Sequence, residues 1–321
     1  MLAIVSLVDR LVPGLLQGGD ASVACVCTTR PKYLVFNDKS RQPACVVEFG
    51  PAERLVRVDG ILTELHPRFP GGIARPLVCM SWRNGTYVQI QEGLAGMPWF
   101  RLSDGLTSAA DWRAVIDRAV TAMLRLHAAT RDVPAWSDRV LAGAELRRQA
   151  ILSRLDGSIL SDRVLQCVAD WGRALDANGP MASCWQHCDF SLNNLLVAEE
   201  TVSVIDFDEF GGTLVPLHDA FGLALSVPLS QNESCPLSLA DCIAQCVEPA
   251  RQDEAVNAAH LPALLMHHLL WRINQCHGLE RRAALRHILL GWADELAASP
   301  QHFLGSIRTE CPALAGPSRS A

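Results

Sequence analysis

Lysine is the scarcest basic residue of this chain: Lys32 and Lys39 are the only two, and the rest of the 28 Lys and Arg residues are arginines. The formal net charge is −6, which argues against a basic surface for nucleic acid. No apolar run approaches the ~20 residues that span a bilayer. The opening segment MLAIVSLVDRLVPGLL lacks the basic leader of a secretory signal. These absences predict a cytoplasmic protein that binds neither nucleic acid nor a membrane.

Zinc-type cysteine spacing is also missing. None of the twelve cysteines forms a C-x-x-C pair. Cys242 and Cys246 stand one helical turn apart, and His267 and His268 are neighbours, but no ordered set of four ligands follows. Most cysteines lie inside apolar segments, where a free thiol behaves as a small hydrophobe. We expect free cysteines packed in the core.

The first part of the chain is typical of a small antiparallel sheet. Residues 22–50 hold three strand-like runs, SVACVC, KYLVF and ACVVEF, separated by polar breaks. Pro51 favours the first turn of a helix whose apolar face carries Leu55, Val58, Leu62 and Leu65. Two more strands are predicted at Ala74–Met80 and Thr86–Gln91, with a turn between them at the Asn84-Gly85 pair.

Beyond Trp99 the apolar spacing becomes helical. Thr107 or Ser108 is a candidate cap for the first helix. The predicted helices are Asp111–Ala128, Ser137–Leu155, Ser161–Ala177, Leu237–Val247, Leu261–Cys276 and Glu280–Ala298. The sequence thus predicts a bilobal α+β fold, with a small β lobe at residues 1–92, a larger, mainly helical lobe at 93–311 and a disordered tail at 312–321. A cleft between such lobes is a natural ligand site.

Polar residues concentrate between Cys184 and Gly212. His187, Asp189 and Asn194 follow the pattern H-x-D-x-x-x-x-N, and Asp206 and Asp208 come after an apolar run. Carboxylate and amide oxygens are the ligands that Mg²⁺ prefers. A lone Asp is usually a turn or cap residue. The combination, however, has the spacing of a kinase catalytic loop followed by a metal-binding Asp.

These residues resemble the aminoglycoside phosphotransferase and choline kinase family, which has a protein-kinase-like fold. The family loop H-G-D-L-x-x-x-N is similar to H-C-D-F-S-L-N-N in this chain. Three further segments agree with family elements: a helix end, a hinge and a P-x-x-D element. They are Met123 to His127, Gln91 to Pro98 and Pro216 to Asp219.

The resemblance implies ATP and Mg²⁺ as cofactors and a small-molecule hydroxyl as acceptor. Asp189 would orient or deprotonate that hydroxyl, while Asn194 and Asp206 would hold Mg²⁺. Asp208 is a candidate for a second metal. The remaining implied roles are a loop brace for His187, backbone hydrogen bonds for Asp219, and adenine contacts through the backbone of the hinge around Gln91 and Glu92.

One position departs from the family. The third strand normally carries a lysine that contacts the nucleotide phosphates and pairs with a helix glutamate, but this chain has Glu48 there. The following helix offers Arg54 and Arg57. One hypothesis is a swapped pair in which Glu48 orients Arg57 or Arg54 toward the phosphates, since the guanidinium fork binds phosphate well. The link TTRPK contains no glycine, so a glycine-rich phosphate flap is absent.

Three functions are compatible with this sequence. The first is an ATP-dependent phosphotransferase acting on a small-molecule hydroxyl. The second is a pseudokinase or ligand-binding regulatory protein that has lost nucleotide turnover through Glu48. The third, a protein or peptide kinase, is disfavoured because no Ser/Thr-rich segment follows Asp206. The acidic stretch from Asp206 to Glu209 would suit a polycationic acceptor.

Overall fold

The computed structural model describes residues 2–16, 20–27, 30–38, 40–102, 105–199, 201–229 and 235–305, apart from the side chains of Cys27, Phe100 and Arg281. The helices are α1 (Leu2–Leu11), α2 (Ala52–Leu65), α3 (Trp99–Leu102), α4 (Ala109–Arg131), α5 (Ala142–Leu155), α6 (Asp162–Ala177), α7 (His218–Leu229), α8 (Leu239–Asp253), α9 (Leu261–Gln275), α10 (Ala283–Ala298) and α11 (Pro300–Leu304). The strands are β1 (Ser22–Cys27), β2 (Pro31–Phe36), β3 (Cys45–Pro51), β4 (Pro76–Ser81), β5 (Thr86–Glu92), β6 (Met97–Pro98), β7 (Ser137–Val140), β8 (Met181–Cys184), β9 (Leu195–Val197) and β10 (Val202–Val204).

The chain divides into two compact units, each built from separate segments. The sheet unit comprises Met1–Thr107, Thr121–Val133 and Asp189–Phe210. The helical unit comprises Ser108–Val120, Pro134–Cys188 and Gly211–Ala321. The lobe boundaries predicted at 1–92 and 93–311 stay predictions. The predicted disordered tail at 312–321 lies outside the described residues.

The main sheet of the sheet unit has five antiparallel strands in the order β1-β2-β3-β5-β4. The predicted meander of β1, β2 and β3 is confirmed, and β5 lies beside β3, which leaves β4 at the edge. Strand side chains alternate between the two faces of a sheet. One face buries an apolar cluster with α1: Leu7, Val8, Val23, Val35, Cys45, Val47, Val88 and Ile90.

The opposite face of the sheet carries a polar row. Lys32, Glu48 and Gln89 are direct partners in the register of β2, β3 and β5, so their side chains share this face. Gln89 Nε2 donates to Asp59 Oδ1 of α2 at 3.4 Å. The predicted apolar face of α2 is confirmed, with Ile61 added: Leu55, Val58, Ile61, Leu62 and Leu65 are buried.

The helical unit is organised around α9, in which every residue from Leu261 to Trp271 is buried. A polar link crosses this core: Asn274 Nδ2 donates to Gln149 Oε1 at 2.8 Å, and Ser153 Oγ donates to Asn274 Oδ1 at 2.7 Å. Ser108 caps α4, since its Oγ accepts from Asp111 N–H at 3.2 Å and its own N–H donates to the Asp111 carboxylate. This confirms one of the two predicted caps.

One helix prediction needs correction, and one helix was missed. The helix predicted at Ser137–Leu155 begins only at Ala142, because residues 137–140 form β7 and pair with β8, about 40 residues further along. Helix α7 was not predicted at all. Eight of its twelve residues are buried, and a helix that is apolar all round lacks the periodic pattern that marks an amphipathic one.

The cysteines are free as predicted, but the expected core packing holds for only six of the ten described, since Cys25 is exposed and Cys79, Cys167 and Cys235 are partly buried. The ten whose side chains are described are all free, and burial raises the pKa of Cys45 and of Cys242 to about 12. Within the described ranges, no group of three or more His, Cys, Asp or Glu side chains could hold a metal ion. His267 and His268 are buried, as the core-packing interpretation expects. Every described helix is too short or too polar to cross a bilayer.

Gly93 provides a test of the packing after β5. A Cβ atom at this position would lie 1.8 Å from the Pro43 carbonyl oxygen, whereas one at Gly60, inside α2, would meet nothing within 4 Å. We expect Gly93→Ala to lower the free energy of unfolding by about 1–3 kcal/mol, the usual cost of overpacking. The matched change Gly60→Ala should raise it by up to about 1 kcal/mol through helix propensity. Urea unfolding of both variants measures the two effects, and equal stabilities would contradict the predicted clash.

Candidate active site

A short hairpin brings Asn194 and Asp206 to the same end of two strands. Strands β9 and β10 pair antiparallel, with Leu195 opposite Val204. Asn194 precedes the first of these residues, and Ile205, which follows the second, donates its N–H to the Asn194 carbonyl at 3.0 Å. Asn194 and Asp206 therefore flank the open end of the hairpin.

Asp189 is fixed to this hairpin end by Asn194. The Asn194 Nδ2 group donates to Asp189 Oδ2 at 2.8 Å and to the Asp189 carbonyl at 2.9 Å. With its amide nitrogen engaged in this way, Asn194 has its amide oxygen as the group that can act as a metal ligand. Asp189 and Asn194 thus form one preorganised unit of a carboxylate and an amide.

Asp206 adopts a left-handed backbone conformation, with φ of 67°. Aspartate is among the few non-glycine residues that tolerate this region. The conformation turns the chain sharply from β10 into the 3₁₀ turn Phe207–Glu209. The hairpin is also anchored to the segment after α2, because Val204 N–H donates to the Gly72 carbonyl at 2.8 Å and Ser203 Oγ donates to the Gly71 carbonyl at 2.9 Å.

Arg54 bridges two carboxylates of the sheet unit. Its Nη2 group pairs with Glu48 of β3, and its Nη1 group donates to Asp208 Oδ1 at 3.1 Å. Burial alone would lower the pKa of Arg54, but the two carboxylates raise it above its ordinary value. Glu48 and Arg54 thus form an ion pair, while the phosphate contact that the swap hypothesis gives to this arginine stays a prediction.

Asp208 is surrounded by cations. Arg54 and Arg30 both donate to its carboxylate. Burial alone would raise its pKa, and Arg54, with Arg30 and Lys32, holds that pKa below the ordinary value. Both oxygens are thus occupied by guanidinium groups, so the predicted metal role of Asp208 would require the arginines to move.

Arg57 and Lys32 approach the same loop in different ways. Arg57 donates to the backbone carbonyls of Phe210, at 3.0 Å, and of Asp208. It has no contact with Glu48 among the described residues, so the alternative in which Glu48 orients Arg57 is not the arrangement seen. Lys32 of β2 places its Nζ atom 3.5 Å from Asp206 Oδ1.

The predicted hinge residues Gln91 and Glu92 form the end of β5, opposite Val46 and Cys45 of β3. The N–H of Glu92 donates to the Arg75 carbonyl at 2.9 Å, and the N–H of Gly93 donates to the Ala44 carbonyl at 3.1 Å. Both N–H groups therefore form backbone hydrogen bonds within the protein. The predicted adenine contacts at Gln91 and Glu92 stay predictions.

His187 and Cys188 belong to the helical unit, where Asp219 holds their backbone. The Asp219 carboxylate accepts from His187 N–H at 2.7 Å and from Cys188 N–H at 2.8 Å. This confirms the backbone contacts predicted for Asp219. The His187 side chain is fully buried, as expected of a residue that supports the loop. Cys188 is also buried, with Sγ 3.3 Å from the Gln186 carbonyl, which agrees with a structural role.

The sequence did not reveal Arg30 and Lys32 as neighbours of the acidic residues. Lys32 lies in a predicted strand, but its position opposite Glu48 depends on a strand register that local sequence does not specify.

The hairpin residues Asn194 and Asp206 carry ligand atoms that fit a hard divalent cation. Two oxygen ligands of this kind suit Mg²⁺, which keeps waters and phosphate oxygens as its other ligands.

The fold of this chain is similar to that of known proteins. Three solved structures share the fold at low sequence identity. The first is a candidate aminoglycoside phosphotransferase from Ralstonia eutropha JMP134 (13% identity, TM-score 0.63, 92% of this chain and 98% of that chain). The second is a thermostable mutant of aminoglycoside phosphotransferase APH(4)-Ia with AMP-PNP and hygromycin B (12%, 0.61, 93% and 98%). The third is a choline kinase from Cryptosporidium parvum Iowa II (12%, 0.56, 94% and 94%).

No curated protein sequence matches the chain. The likeness to these structures confirms the predicted α+β, protein-kinase-like fold. A profile of the phosphotransferase enzyme family matches residues 44–255, well over half of the chain. That range includes the β3 strand with Glu48 and the whole catalytic-loop stretch. The chain therefore belongs to the phosphotransferase enzyme family, and the predicted enzyme class is confirmed.

Proposed function

We propose that this protein transfers the γ-phosphoryl group of ATP to a hydroxyl group of a small molecule. The observation that carries the proposal is the hairpin end that Asn194 and Asp206 flank, with the Asp189 carboxylate held at 2.8 Å by the Asn194 amide. Family membership gives the reaction class, and this cluster supports the proposed position of the reaction in the chain.

Asp189 is proposed as the group that receives the acceptor proton. The acceptor oxygen forms a bond to the γ-phosphorus while the bond from that phosphorus to the bridging oxygen breaks, and ADP departs. The hydroxyl proton passes to the Asp189 carboxylate. The hydrogen bond from Asn194 orients the carboxylate through one of its oxygens. Positioning of this kind accounts for much of the catalysis in phosphoryl transfer.

Asn194 and Asp206 are proposed to hold Mg²⁺, which when bound neutralises phosphate charge. The amide oxygen of Asn194 and the Asp206 carboxylate supply two ligands. Asp206 keeps 37% of its side chain exposed, so its carboxylate is open to an ion from solvent. Asp208 is a weaker candidate for a second metal because Arg54 and Arg30 already occupy it.

The nucleotide base is proposed to meet the hinge. Since the N–H groups of Glu92 and Gly93 are used in the fold, the backbone just beyond them, at residues 94–96, is the better candidate for the adenine edge. The neighbouring structure of APH(4)-Ia contains AMP-PNP, which supports a nucleotide donor. A cytoplasmic location remains the expectation from sequence.

The acceptor class follows from the neighbours only in outline. They include a complex with hygromycin B and a choline kinase, so a hydroxylated amine is a reasonable first choice. The acidic stretch at Asp206 to Glu209 offers less to a polycation than its sequence suggests, because Arg30 and Arg54 already neutralise Asp208. Incubation with radiolabelled ATP and a panel of aminoglycosides, amino sugars and amino alcohols identifies the acceptor.

The second candidate function is a pseudokinase that binds a ligand without turnover. The observation in its favour is Glu48, which is 7% exposed and paired with Arg54, at the strand position where the family carries lysine. The protein-kinase alternative has less support, because Thr213 is the only Ser or Thr between Asp206 and His218 and it is buried.

Loss of the Asp206 carboxylate should separate these two functions. A ligand at about 100 times its Kd stabilises a protein by roughly 2.7 kcal/mol, so ATP with Mg²⁺ should raise the Tm of the wild type by several degrees. Asp206→Ala should abolish the Mg²⁺-dependent part of this shift. Asp170→Ala, which removes a surface partner of Arg173, is the matched control. Absence of any nucleotide shift in the wild type would leave only the pseudokinase.

Replacement of Asp189 tests the chemistry separately from binding. Asp189→Asn preserves the size of the side chain but removes the proton acceptor, and general-base catalysis contributes roughly 10²–10⁴-fold. We therefore expect kcat to fall by about that factor, while the thermal shift with ATP and Mg²⁺ stays as in the wild type. A variant with full kcat would show that Asp189 is not the base. Phosphate transfer is measured with the acceptor found in the panel.

A further inference from the structure

Four cations approach the acidic loop from the first part of the chain: Arg30, Lys32, Arg54 and Arg57. They differ in what they contact. Arg30 and Arg54 pair with the Asp208 carboxylate, and Arg57 donates to backbone carbonyls of the same turn. Among the described residues, Lys32 is the one cation paired with Asp206. The four therefore have different tasks.

Arg54 is enclosed between two carboxylates. Its Nη1 group pairs with Asp208 and its Nη2 group with Glu48, its side chain is only 14% exposed, and its Nε atom is buried. It also lies so close over Gly50 that a Cβ atom there would come within 2.6 Å of its Nη2 group. A guanidinium enclosed in this way braces β3 against the loop, which leaves the phosphate contact to another residue.

Lys32 has the position and the freedom that Arg54 lacks. It lies directly opposite Glu48 in the antiparallel pairing of β2 and β3, and residues paired in this way project from the same face of the sheet. Neighbouring strands lie ~4.8 Å apart, a distance that a lysine stem covers easily. The ammonium of Lys32 therefore lies on the same face of the sheet as the ammonium of a lysine at position 48 would, but one strand away.

The ion pair between Lys32 and Asp206 indicates which ligand Lys32 would bind. Its Nζ atom is 3.5 Å from the carboxylate proposed to hold Mg²⁺, and the two side chains keep 29% and 37% of their surface exposed. An exposed pair of this kind contributes little to stability, so it separates at small cost. A divalent cation on Asp206 would repel the ammonium, and the phosphate oxygens that accompany the cation would attract it. Lysine binds phosphate well as a compact point charge.

We propose that Lys32 of β2 is the phosphate-binding lysine of this enzyme, displaced by one strand from the position that Glu48 occupies. The inference rests on the proposed function, since it assumes that ATP binds at this site. It makes Glu48 and Arg54 a structural pair and assigns the electrostatic contact with the nucleotide phosphates to Lys32. The substitution at position 48 is then compatible with turnover.

Nucleotide affinities test this assignment. Charge-assisted hydrogen bonds of this type correspond to roughly a 10- to 100-fold change in affinity. We expect Lys32→Met to weaken ATP and ADP by about that factor in calorimetric titrations and to leave adenosine within about twofold. Lys32→Arg should recover part of the loss. The control is Arg68→Met, which removes a cation paired with Glu64 within one segment of the sheet unit.

The outcomes separate the two proposals. If the wild type binds ATP and Lys32→Met binds it equally well, the assignment of Lys32 is wrong while the proposed function stands. An equal loss for adenosine would also overturn the assignment, because it would indicate a general structural role. If the wild type binds no nucleotide, the proposed function itself fails.

The scarcity of lysine allows a second test that needs no variant. An acyl phosphate of ATP transfers its acyl group to a nearby amine: the lysine nitrogen forms an amide with the acyl carbon, and ATP leaves. Only Lys32 and Lys39 carry such an amine as a side chain. We expect mass spectrometry of the digested protein to find the acyl group on Lys32, with labelling suppressed by excess ATP. Labelling of Lys39 instead, or labelling of Lys32 that ATP does not suppress, would contradict the proposal.

Discussion

The arrangement of the candidate site depends on the Arg54 guanidinium, which lies between Glu48 and Asp208. Glu48 is 7% exposed, and a carboxylate this deeply buried is tolerated only when a cation compensates its charge. Removing one partner of a buried ion pair typically costs about 3–5 kcal/mol, mainly because the other charge is left uncompensated. Arg54 thus fixes β3 and the turn after β10 together. Arg57 strengthens that connection through two carbonyls of the same turn.

This connection acts on the proposed metal ligands through the backbone. Asp206 stands between β10 and the 3₁₀ turn Phe207–Glu209, and its left-handed φ leaves little freedom in how the chain enters that turn. On the other side, Asn194 is tied to Ile205 and to Asp189. The proposed metal ligands are thus held by short local bonds, and the longer connection through Asp208 holds the loop as a whole.

Locality explains which features could be predicted from the sequence. Asp189, Asn194 and Asp206 lie within one loop and one hairpin, so their spacing alone predicted a common site, and the alternating strands predicted most of the sheet. By contrast, 154 residues separate Arg54 from Asp208, and the pairing of Lys32 with Glu48 depends on a register that propensity does not encode. β7 escaped prediction for the same reason, since residues 137–140 become a strand only through pairing with β8. Helix α7 gave no periodic pattern because it is buried on most sides.

The balance of charges around position 48 bears on the presence of Glu48 where the family carries a lysine. Three carboxylates (Glu48, Asp206 and Asp208) face three cations that pair with them (Arg30, Lys32 and Arg54). A nucleotide with its metal brings net negative charge and therefore needs a cation that can leave its carboxylate. Arg54 cannot leave without exposing a buried charge on Glu48, and Arg30 pairs with Asp208, which is not one of the two proposed Mg²⁺ ligands. Lys32 can leave, because Asp206 would receive a metal ion in its place. The Glu48–Arg54 pair of β3 and α2 thus balances its own charges. When a metal ion replaces Lys32 at Asp206, the ammonium of Lys32 becomes available for the proposed phosphate contact.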